Sequence, residues 1–302
     1  MPNKSLIVIV GPTAVGKTRV SVELALKLNC KIINADSRQL FKEMSIGTAK
    51  PTMKEMKGVD HFFVDDRSVK EEFSAGIFEK EALAILEEEY KGNDLCIMTG
   101  GSGLYIDAVC LGLNDFPGVD SEIRKDLMLK LASEGSVALF NELKKIDPAY
   151  AREIEENNSQ RIVRALEIYY ASGKTYSSLR TGMNSKRNFK IQYIGLELPR
   201  EELYDRINNR MDDMIEQGLF EEALGLIEYR DINSLQTVGY NEIFQYQDGL
   251  IDKKEAIRIL KRNSRRYSKR QLTWFKRNKE ITWFSPNDID EIHEFLMRKL
   301  HT

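Results

Sequence analysis

The chain has 302 residues, of which 42% are hydrophobic and 30% charged, a length sufficient for a large core and for more than one domain. No apolar run is long enough to span a bilayer or to form the core of a signal peptide, so we expect a cytoplasmic protein. Its three cysteines are widely spaced and include no C-x-x-C pair, which argues against a disulfide framework and against a structural zinc site.

Positive charge is concentrated near the carboxyl-terminal end of the chain. Residues 253–279 contain twelve Lys and Arg and one acid, Glu255, which gives a local charge of +11. Because the whole chain has a net charge of −2, the remaining residues sum to −13. We therefore expect the attraction for a polyanion at this segment.

The first predicted elements are a buried strand, a glycine-rich loop and a helix. The continuous apolar run Leu6–Val10 is typical of a central parallel strand, and Val20, Leu24 and Leu28 recur at helical spacing. Between them lies a complete G-x-x-x-x-G-K-[ST] pattern, which binds a diphosphate or triphosphate. We call this segment the phosphate loop, and it consists of Gly11, Pro12, Thr13, Ala14, Val15, Gly16, Lys17 and Thr18.

Each part of the phosphate loop has a chemical reason. Gly11 and Gly16 let the backbone curl, so that its N–H groups and the helix N-terminus converge on an anion. Lys17 neutralises charge, and Thr18 reaches a bound Mg²⁺. Taken alone, the pattern most often indicates ATP or another nucleoside triphosphate.

Two further strands are predicted at Lys31–Asn34 and Leu95–Thr99, each followed by turn residues and helical patterning. This alternation predicts an α/β fold with a doubly wound parallel sheet. Ligands bind beyond the carboxyl ends of such strands. We therefore expect three strand ends to meet at one site, formed by the phosphate loop, Asp36-Ser37-Arg38-Gln39 and Gly100-Gly101-Ser102-Gly103.

Helical patterning replaces this alternation in the middle of the chain, where apolar residues recur at helical spacing. We interpret residues 119–187 as a helical insertion domain in a core formed by residues 1–118 and 188–302. The later part of the core carries the basic helices. Its patterns predict a strand at Ile191–Leu198, helices within Glu201–Tyr229 and Asp252–Asn278, a short strand at Ile281–Phe284 and a closing helix.

The residues alone leave the reaction open. A P-loop kinase or NTPase usually has an apolar strand that ends in a metal-binding Asp, whereas Leu95–Thr99 runs into a glycine turn, which weakens a kinase assignment. Asp36 is a metal ligand or a general base, or it caps a turn through the backbone. Ser102 is equally open to a turn role, in which its hydroxyl bonds the backbone.

Nine short segments carry a more specific signal. They are GPTAVGKT at 11–18, DSRQLF at 36–41, IGTAKP at 46–51, DHF at 60–62, FSAGIF at 73–78, GGSGLY at 100–105, QRIVRALE at 160–167, VGYNE at 238–242 and YSKRQLTWF at 267–275. In this order, and over nearly the whole chain, they resemble the segments of the tRNA dimethylallyltransferases.

The resemblance implies a P-loop kinase-like fold with a helical insertion. The implied reaction moves a dimethylallyl group from dimethylallyl diphosphate to the exocyclic amine of the adenosine 3′ of the anticodon in tRNA. The resemblance also implies Mg²⁺ as a cofactor, with tRNA and dimethylallyl diphosphate as partners. We expect a monomer, and an insertion domain that contacts tRNA.

The resemblance also assigns roles to residues by position. It implies Asp36 as the base that accepts the proton of the adenine amine. Lys17, Thr18 and the rest of the phosphate loop would stabilise the diphosphate leaving group together with Mg²⁺. Ser102 matches the family's hydroxyl, usually Thr, that contacts the reacting groups. The implied tRNA contacts are Asp36, Ser37, Arg38, Gln39, Ser102, Arg124, Gln160, Arg161, Ile162, Val163 and Arg164.

Two basic regions have a more ordinary interpretation beside the functional one. Arg161 and Arg164 lie on one helix face, where a solvated face paired with Glu167 is the alternative to an RNA contact. Within residues 253–279, an apolar and polar stripe predicts core packing. The basic face of that helix predicts a track for phosphates.

Arg206 and Arg210 lie one helical turn apart, after Pro199. They either clamp a diphosphate or form surface pairs with Glu202 and its neighbours. We assign Arg210 to the catalytic site.

Three other functions remain open. An adenylate isopentenyltransferase would prenylate a free nucleotide, but the basic segment and the long insertion favour tRNA. A P-loop nucleotide or metabolite kinase would consume ATP with a small acceptor. A non-catalytic RNA-binding P-loop protein would bind tRNA without turnover.

Overall fold

One parallel sheet organises the larger part of the molecule. The structure is a computed structural model that describes residues 4–114, 116–180 and 185–300. Within these residues, six strands form a sheet in the order β3-β2-β4-β1-β5-β6, which confirms the predicted α/β fold with a doubly wound parallel sheet. The strands are β1 Ser5–Val10, β2 Ile32–Asn34, β3 His61–Phe62, β4 Leu95–Gly100, β5 Lys190–Leu196 and β6 Thr282–Phe284.

Helices connect the strands and form the insertion. Several of them start at Asx or Ser caps whose side chains accept a backbone N–H, as Ser74 does for α3 and Asp252 for α12. A 3₁₀ turn at Ile227–Tyr229 follows α10. The helices are α1 Lys17–Leu28, α2 Met53–Met56, α3 Ala75–Glu89, α4 Gly103–Leu111, α5 Ser121–Ile146, α6 Pro148–Ala151, α7 Ser159–Ser172, α8 Tyr176–Leu179, α9 Arg200–Glu216, α10 Leu219–Gly225, α11 Asn241–Gln247, α12 Lys253–Phe275 and α13 Ile289–Leu300.

The central strand β1 explains why the sheet has two apolar layers. Successive side chains of a strand point to opposite faces. Leu6 and Val8 therefore enter one buried cluster, whereas Ile7 and Ile9 enter another, and all four are fully buried. Helices cover both faces, so a continuous apolar run rather than an alternating one is the expected pattern for this strand.

The strand register brings the predicted site segments together. Val10 of β1 pairs with Gly100 of β4, and Asn34 of β2 pairs with Thr99 of β4. The three strands thus end at the same edge of the sheet. Beyond that edge, Ser102 N–H donates to Ala35 O at 3.2 Å, which ties the β4 turn to the β2 turn.

The chain divides into two compact units, Met1–Cys110 with Lys186–Thr302, and Leu111–Ser185. The helical insertion that we predict from the sequence is residues 119–187. The smaller unit has its own core, in which Leu139 and Leu143 of α5 pack with Ile162 and Leu166 of α7. Helix α5 is interrupted at Gly135, whose φ of 81° and ψ of 170° are not helical.

The predicted helical stretch Glu201–Tyr229 is broken. Gly218 has a φ of 102°, a left-handed conformation that favours glycine, and it separates α9 from α10. Among the described residues, no helix combines the length and the apolar composition that crossing a membrane requires.

Candidate active site

The phosphate loop joins β1 directly to α1. Gly16 adopts φ 105° and ψ 21° at the N-cap of α1, a left-handed conformation that turns the backbone into the helix. At Gly11, a Cβ atom would lie 2.7 Å from Leu196 O, so a larger residue would clash with β5. The N–H groups of the first turn of α1 are therefore presented to the loop, as an anion site requires.

Lys17 is held inside the loop. Its Nζ donates to Gly11 O at 3.0 Å and to Pro12 O at 2.9 Å. Burial lowers the pKa of Lys17 to about 8, although Asp36 acts to raise it, and Arg210 lowers it further. A bound anion would favour the charged form and raise this pKa.

Arg210 of α9 reaches the same loop from the other side. Its Nη1 donates to Thr13 Oγ1 at 3.3 Å, and its Nη2 donates to Thr48 O at 3.5 Å. Burial lowers the pKa of Arg210, an effect that Asp36 and Glu55 oppose. The other arginine of the predicted pair, Arg206, lies apart from this site and forms an exposed ion pair.

Asp36 and Ser102 stand at the ends of β2 and β4. Asp36 Oδ1 accepts the N–H groups of Arg38 at 2.9 Å and Gln39 at 3.3 Å, so the turn-capping role is present and orients the carboxylate. Ser102 Oγ accepts Ser37 N–H at 2.9 Å. In that bond the hydroxyl is the acceptor, so its own hydrogen is not used.

The DSRQ segment contributes unequally. Gln39 turns inward, where its Nε2 donates to Thr48 O at 3.0 Å and Ala49 O at 3.1 Å, so its side chain supports a loop rather than facing a ligand. Arg38 donates to Asn233 O at 3.1 Å and lines the cleft described next.

A cleft opens beside the phosphate loop, with an empty volume of about 730 Å³ that is partly open to solvent. Of the predicted site residues, Thr13, Ala14, Asp36, Arg38 and Arg210 line it. Its cationic and polar edge thus adjoins an apolar wall, a combination that fits an anion with a hydrocarbon tail. The apolar wall is formed by Ile207, Met211, Met214, Leu219 and Val238.

Glu222 fixes the loop that borders this cleft. Its Oε2 accepts the N–H groups of Ser45 at 2.9 Å and Ile46 at 2.7 Å, and its Oε1 accepts Gly47 N–H at 2.8 Å and the Tyr240 hydroxyl at 2.7 Å. A carboxylate that accepts several backbone N–H groups holds them in a fixed concavity. This loop is part of the segment IGTAKP, and its support from a distant glutamate leaves no local signal in the sequence.

Tyr267 and Gln271 belong to the stripe of α12 for which the sequence predicts core packing, and both adjoin the site. Tyr267 lines the cleft, and burial, reinforced by Asp36, raises its pKa to about 12. Gln271 is buried and bonds both the phosphate loop and the turn after β4. The polar residues of this stripe are the feature of the sequence that could have indicated a site, because a stripe that only packs in a core is expected to be apolar.

The predicted contact residues of the smaller unit lie on two helices, with Arg124 on α5 and residues 160–164 on α7. Arg124 Nη1 and Arg164 Nη1 donate to the buried Glu167 at 2.9 and 3.1 Å while their side chains remain exposed. The pairing proposed as the alternative is therefore present. Gln160 and Arg161 are exposed.

Ile162 and Val163 correct the prediction for this segment. Both are buried in the core of the smaller unit, with exposures of 0% and 3%. Their side chains therefore pack against α5 and do not face a solvent-borne RNA. A helix that contacts a ligand with one face packs its other face against the core. Residues 160–164 span both faces of α7, so some of them are core residues.

Among the described residues, no group of three or more His, Cys, Asp or Glu side chains is placed to hold a metal ion. Mg²⁺ is commonly bound by phosphate oxygens and water with few protein ligands. A single hydroxyl such as that of Thr18, at the start of α1, fits that kind of site.

Comparison with known proteins gives this geometry a family. The family model described as IPP transferase matches residues 39–278. The chain belongs to the IPP transferase family. The chain is 51% identical to the tRNA dimethylallyltransferase of Cytophaga hutchinsonii over 99% of its length and 98% of the relative. It is 47% identical to tRNA dimethylallyltransferase 1 of Bacteroides thetaiotaomicron over 97% of the chain and 95% of the relative.

Solved structures agree with the family assignment. The tRNA isopentenylpyrophosphate transferase of Bacillus halodurans aligns with a TM-score of 0.74 at 42% identity, and the alignment covers 99% of this chain and 97% of that chain. A eukaryotic dimethylallyltransferase acting on tRNA aligns with a TM-score of 0.75 at 29% identity, covering 95% and 75%. The family and the P-loop fold with its helical insertion are thus shown over nearly the whole chain.

Proposed function

We propose that this protein moves the dimethylallyl group of dimethylallyl diphosphate to the exocyclic amine of the adenosine 3′ of the anticodon in tRNA. The products are N6-(dimethylallyl)adenosine and diphosphate. One observation carries the proposal: the cleft joins a phosphate loop and a half-buried arginine to an apolar wall and a carboxylate. The relatives named tRNA dimethylallyltransferase support the same reaction.

The leaving group belongs at the phosphate loop. When the bond between the allylic carbon and the diphosphate oxygen breaks, charge develops on the diphosphate. Lys17, Arg210 and the N–H groups at the start of α1 would accept that charge. Thr18 would hold Mg²⁺, which when bound supplies further charge neutralisation at the same oxygens.

The acceptor belongs at Asp36. The amine of adenine is a weak nucleophile because its lone pair is delocalised, so removal of its proton as the new carbon–nitrogen bond forms assists the step. The proton passes to the Asp36 carboxylate, whose Oδ1 is already oriented by two backbone N–H groups. Ser102 Oγ, at the adjacent turn, would contact the reacting amine.

The hydrocarbon tail belongs at the apolar wall. Met211, Met214 and Leu219 are each less than a tenth exposed, yet they line the cleft. A five-carbon allyl group buried there would gain about 0.8 kcal/mol for each CH₂ removed from water. The same wall would exclude water from the allylic carbon and so favour the amine as nucleophile.

The tRNA would be held by basic surfaces on both units. On α12, Arg266, Lys269 and Arg270 are exposed and face away from the core stripe. In the smaller unit, Arg124, Gln160, Arg161 and Arg164 are the candidate contacts that remain after Ile162 and Val163 are removed. We further propose a cytoplasmic monomer.

The test is transfer of label from dimethylallyl diphosphate to unmodified tRNA by the purified protein with Mg²⁺. We expect label in tRNA and none in AMP, the acceptor that an adenylate isopentenyltransferase would use. Labelled AMP would move the proposal to that activity. Phosphate transfer from ATP to a small acceptor would indicate a kinase, and tRNA binding without transfer would indicate a binding protein.

A further inference from the structure

Gln271 connects two segments that the proposed reaction needs at a fixed separation. Its Oε1 accepts Thr13 N–H of the phosphate loop at 2.8 Å, and its Nε2 donates to Gly101 O at 3.0 Å. Gly101 belongs to residues 100–103, which we call the Ser102 turn. The side chain of Gln271 is buried, with 6% exposure, so it does not face an RNA ligand.

The chemistry of the two partners requires an amide. Thr13 N–H is only a donor and Gly101 C=O is only an acceptor, which fixes the orientation of the Gln271 side chain. Of the side chains with this length, glutamine alone presents one acceptor and donors from the same end. Glutamate would lose the donor, and methionine would lose both bonds and leave two buried backbone groups unpaired.

The side chain of Gln271 is closely packed against the Ser102 turn. A Cβ atom at Gly101 would collide with Gln271 Nε2, and a Cβ atom at Gly103 would collide with Trp274 Nε1 of the same helix. Trp274 Nε1 in turn donates to Asp107 Oδ2 at 3.0 Å. Helix α12 is therefore pressed against the Ser102 turn at two successive helical turns.

We infer that Gln271 is a positioning residue that fixes the separation of the phosphate loop from the Ser102 turn, and therefore of the leaving group from the acceptor amine. The inference rests on the proposed reaction, because the diphosphate is placed at the first segment and the amine at the second. Transfer rates are sensitive to such a separation, since a displacement of about 1 Å costs roughly 100-fold. Gln271 acts through these two segments and touches neither substrate.

The test compares Gln271→Met with Gln245→Met, the same change at an exposed glutamine of α11. For Gln271→Met we expect the single-turnover transfer rate at saturating substrates to fall at least about tenfold. The inhibition constant of inorganic diphosphate and the Kd for tRNA should stay within about threefold of wild type. Gln245→Met should leave all three values unchanged.

Gly101→Ala perturbs the same contact while Gln271 is intact, because its methyl group displaces the amide. We expect a similar loss of rate. The double variant Gly101→Ala, Gln271→Met should be no slower than Gly101→Ala alone, since both changes break one connection.

A wild-type rate in Gln271→Met would overturn the inference, and so would fully additive losses in the double variant. Parallel losses of rate, diphosphate inhibition and tRNA affinity would assign Gln271 a general packing role instead. If the wild-type protein itself transfers no label to tRNA, the proposed function fails. If the wild type is active and Gln271→Met is normal, the positioning role alone fails.

Discussion

Arg210→Gln should weaken the binding of dimethylallyl diphosphate far more than the same change at Arg206, one helical turn away. Both residues are on α9, so helix propensity and length change equally. Arg210 is directed at Thr13 of the phosphate loop, whereas Arg206 pairs with Glu202 on the surface. The two variants carry the same substitution, so a difference between them reports the position of the arginine and not the change of residue type.

The expected change in KM follows from the contact that each arginine makes. A hydrogen bond from a charged donor contributes about 1.5–3 kcal/mol, which corresponds to roughly a 10- to 150-fold increase in KM for dimethylallyl diphosphate. The Arg206–Glu202 pair is 38% and 45% exposed. An exposed pair contributes only about 0.2–1 kcal/mol to folding, and its loss should leave that KM unchanged.

The assay is initial-rate transfer to tRNA, with dimethylallyl diphosphate varied and tRNA saturating. Thermal unfolding is the control, because a protein of this size shifts by roughly 2–4 °C for each kcal/mol. We expect both variants to melt within that range of wild type. Equal KM values for the two variants would refute the assignment of Arg210 to the diphosphate, as would an Arg210 variant that loses tRNA affinity alone.

Three further predictions follow from the same contacts. Because burial lowers the pKa of Lys17 to about 8 in the free protein, the charge that favours diphosphate is present below that pH and lost above it. KM for dimethylallyl diphosphate should therefore rise above about pH 8 in wild type and show no such inflection in Lys17→Arg; a flat wild-type profile would contradict this. Asp36→Asn should lower the transfer rate by roughly 100- to 10,000-fold while tRNA binding, measured by filter retention, stays within about threefold; retained turnover would remove Asp36 as the base. Gly47→Ala should lower the free energy of unfolding by about 1–3 kcal/mol, because its Cβ would lie 2.7 Å from the Tyr240 ring. Gly225→Ala, at a helical position with open space, should be neutral or stabilising in the same denaturant titration, and equal effects would show that the Tyr240 contact is not the cause.

Features that depend on neighbours in sequence were predictable. The apolar run of β1, the glycines of the phosphate loop and the helical spacing after it specify a strand, a turn and a helix in order. The ends of parallel strands meet at one edge, so the sequence alone places Asp36 and Ser102 near the loop. Ser102 N–H indeed bonds Ala35 O, next to Asp36.

Features that depend on distant contacts were not predictable. Thr13 and Gln271 are 258 positions apart, and helical periodicity reports only that Gln271 shares a stripe with core residues. The same periodicity cannot distinguish Arg206 from Arg210, because residues one turn apart have equal claims to a face. Which of the two reaches the phosphate loop is decided by how α9 packs: Arg210 donates to Thr13, and Arg206 donates to Glu202.

Two half-buried cations, Lys17 and Arg210, would stabilise the transition state of the proposed reaction more than its ground state. Burial lowers the pKa of Lys17 and of Arg210, because it disfavours their charged forms. The Asp36 carboxylate opposes this effect only in part. Before the substrate binds, Lys17 donates to the neutral carbonyls of Gly11 and Pro12. A bound diphosphate would supply the negative charge that these neutral carbonyls lack. Because that charge grows as the allylic bond breaks, the attraction of the two cations should be strongest at the transition state, and it lowers the barrier rather than only tightening the ground state.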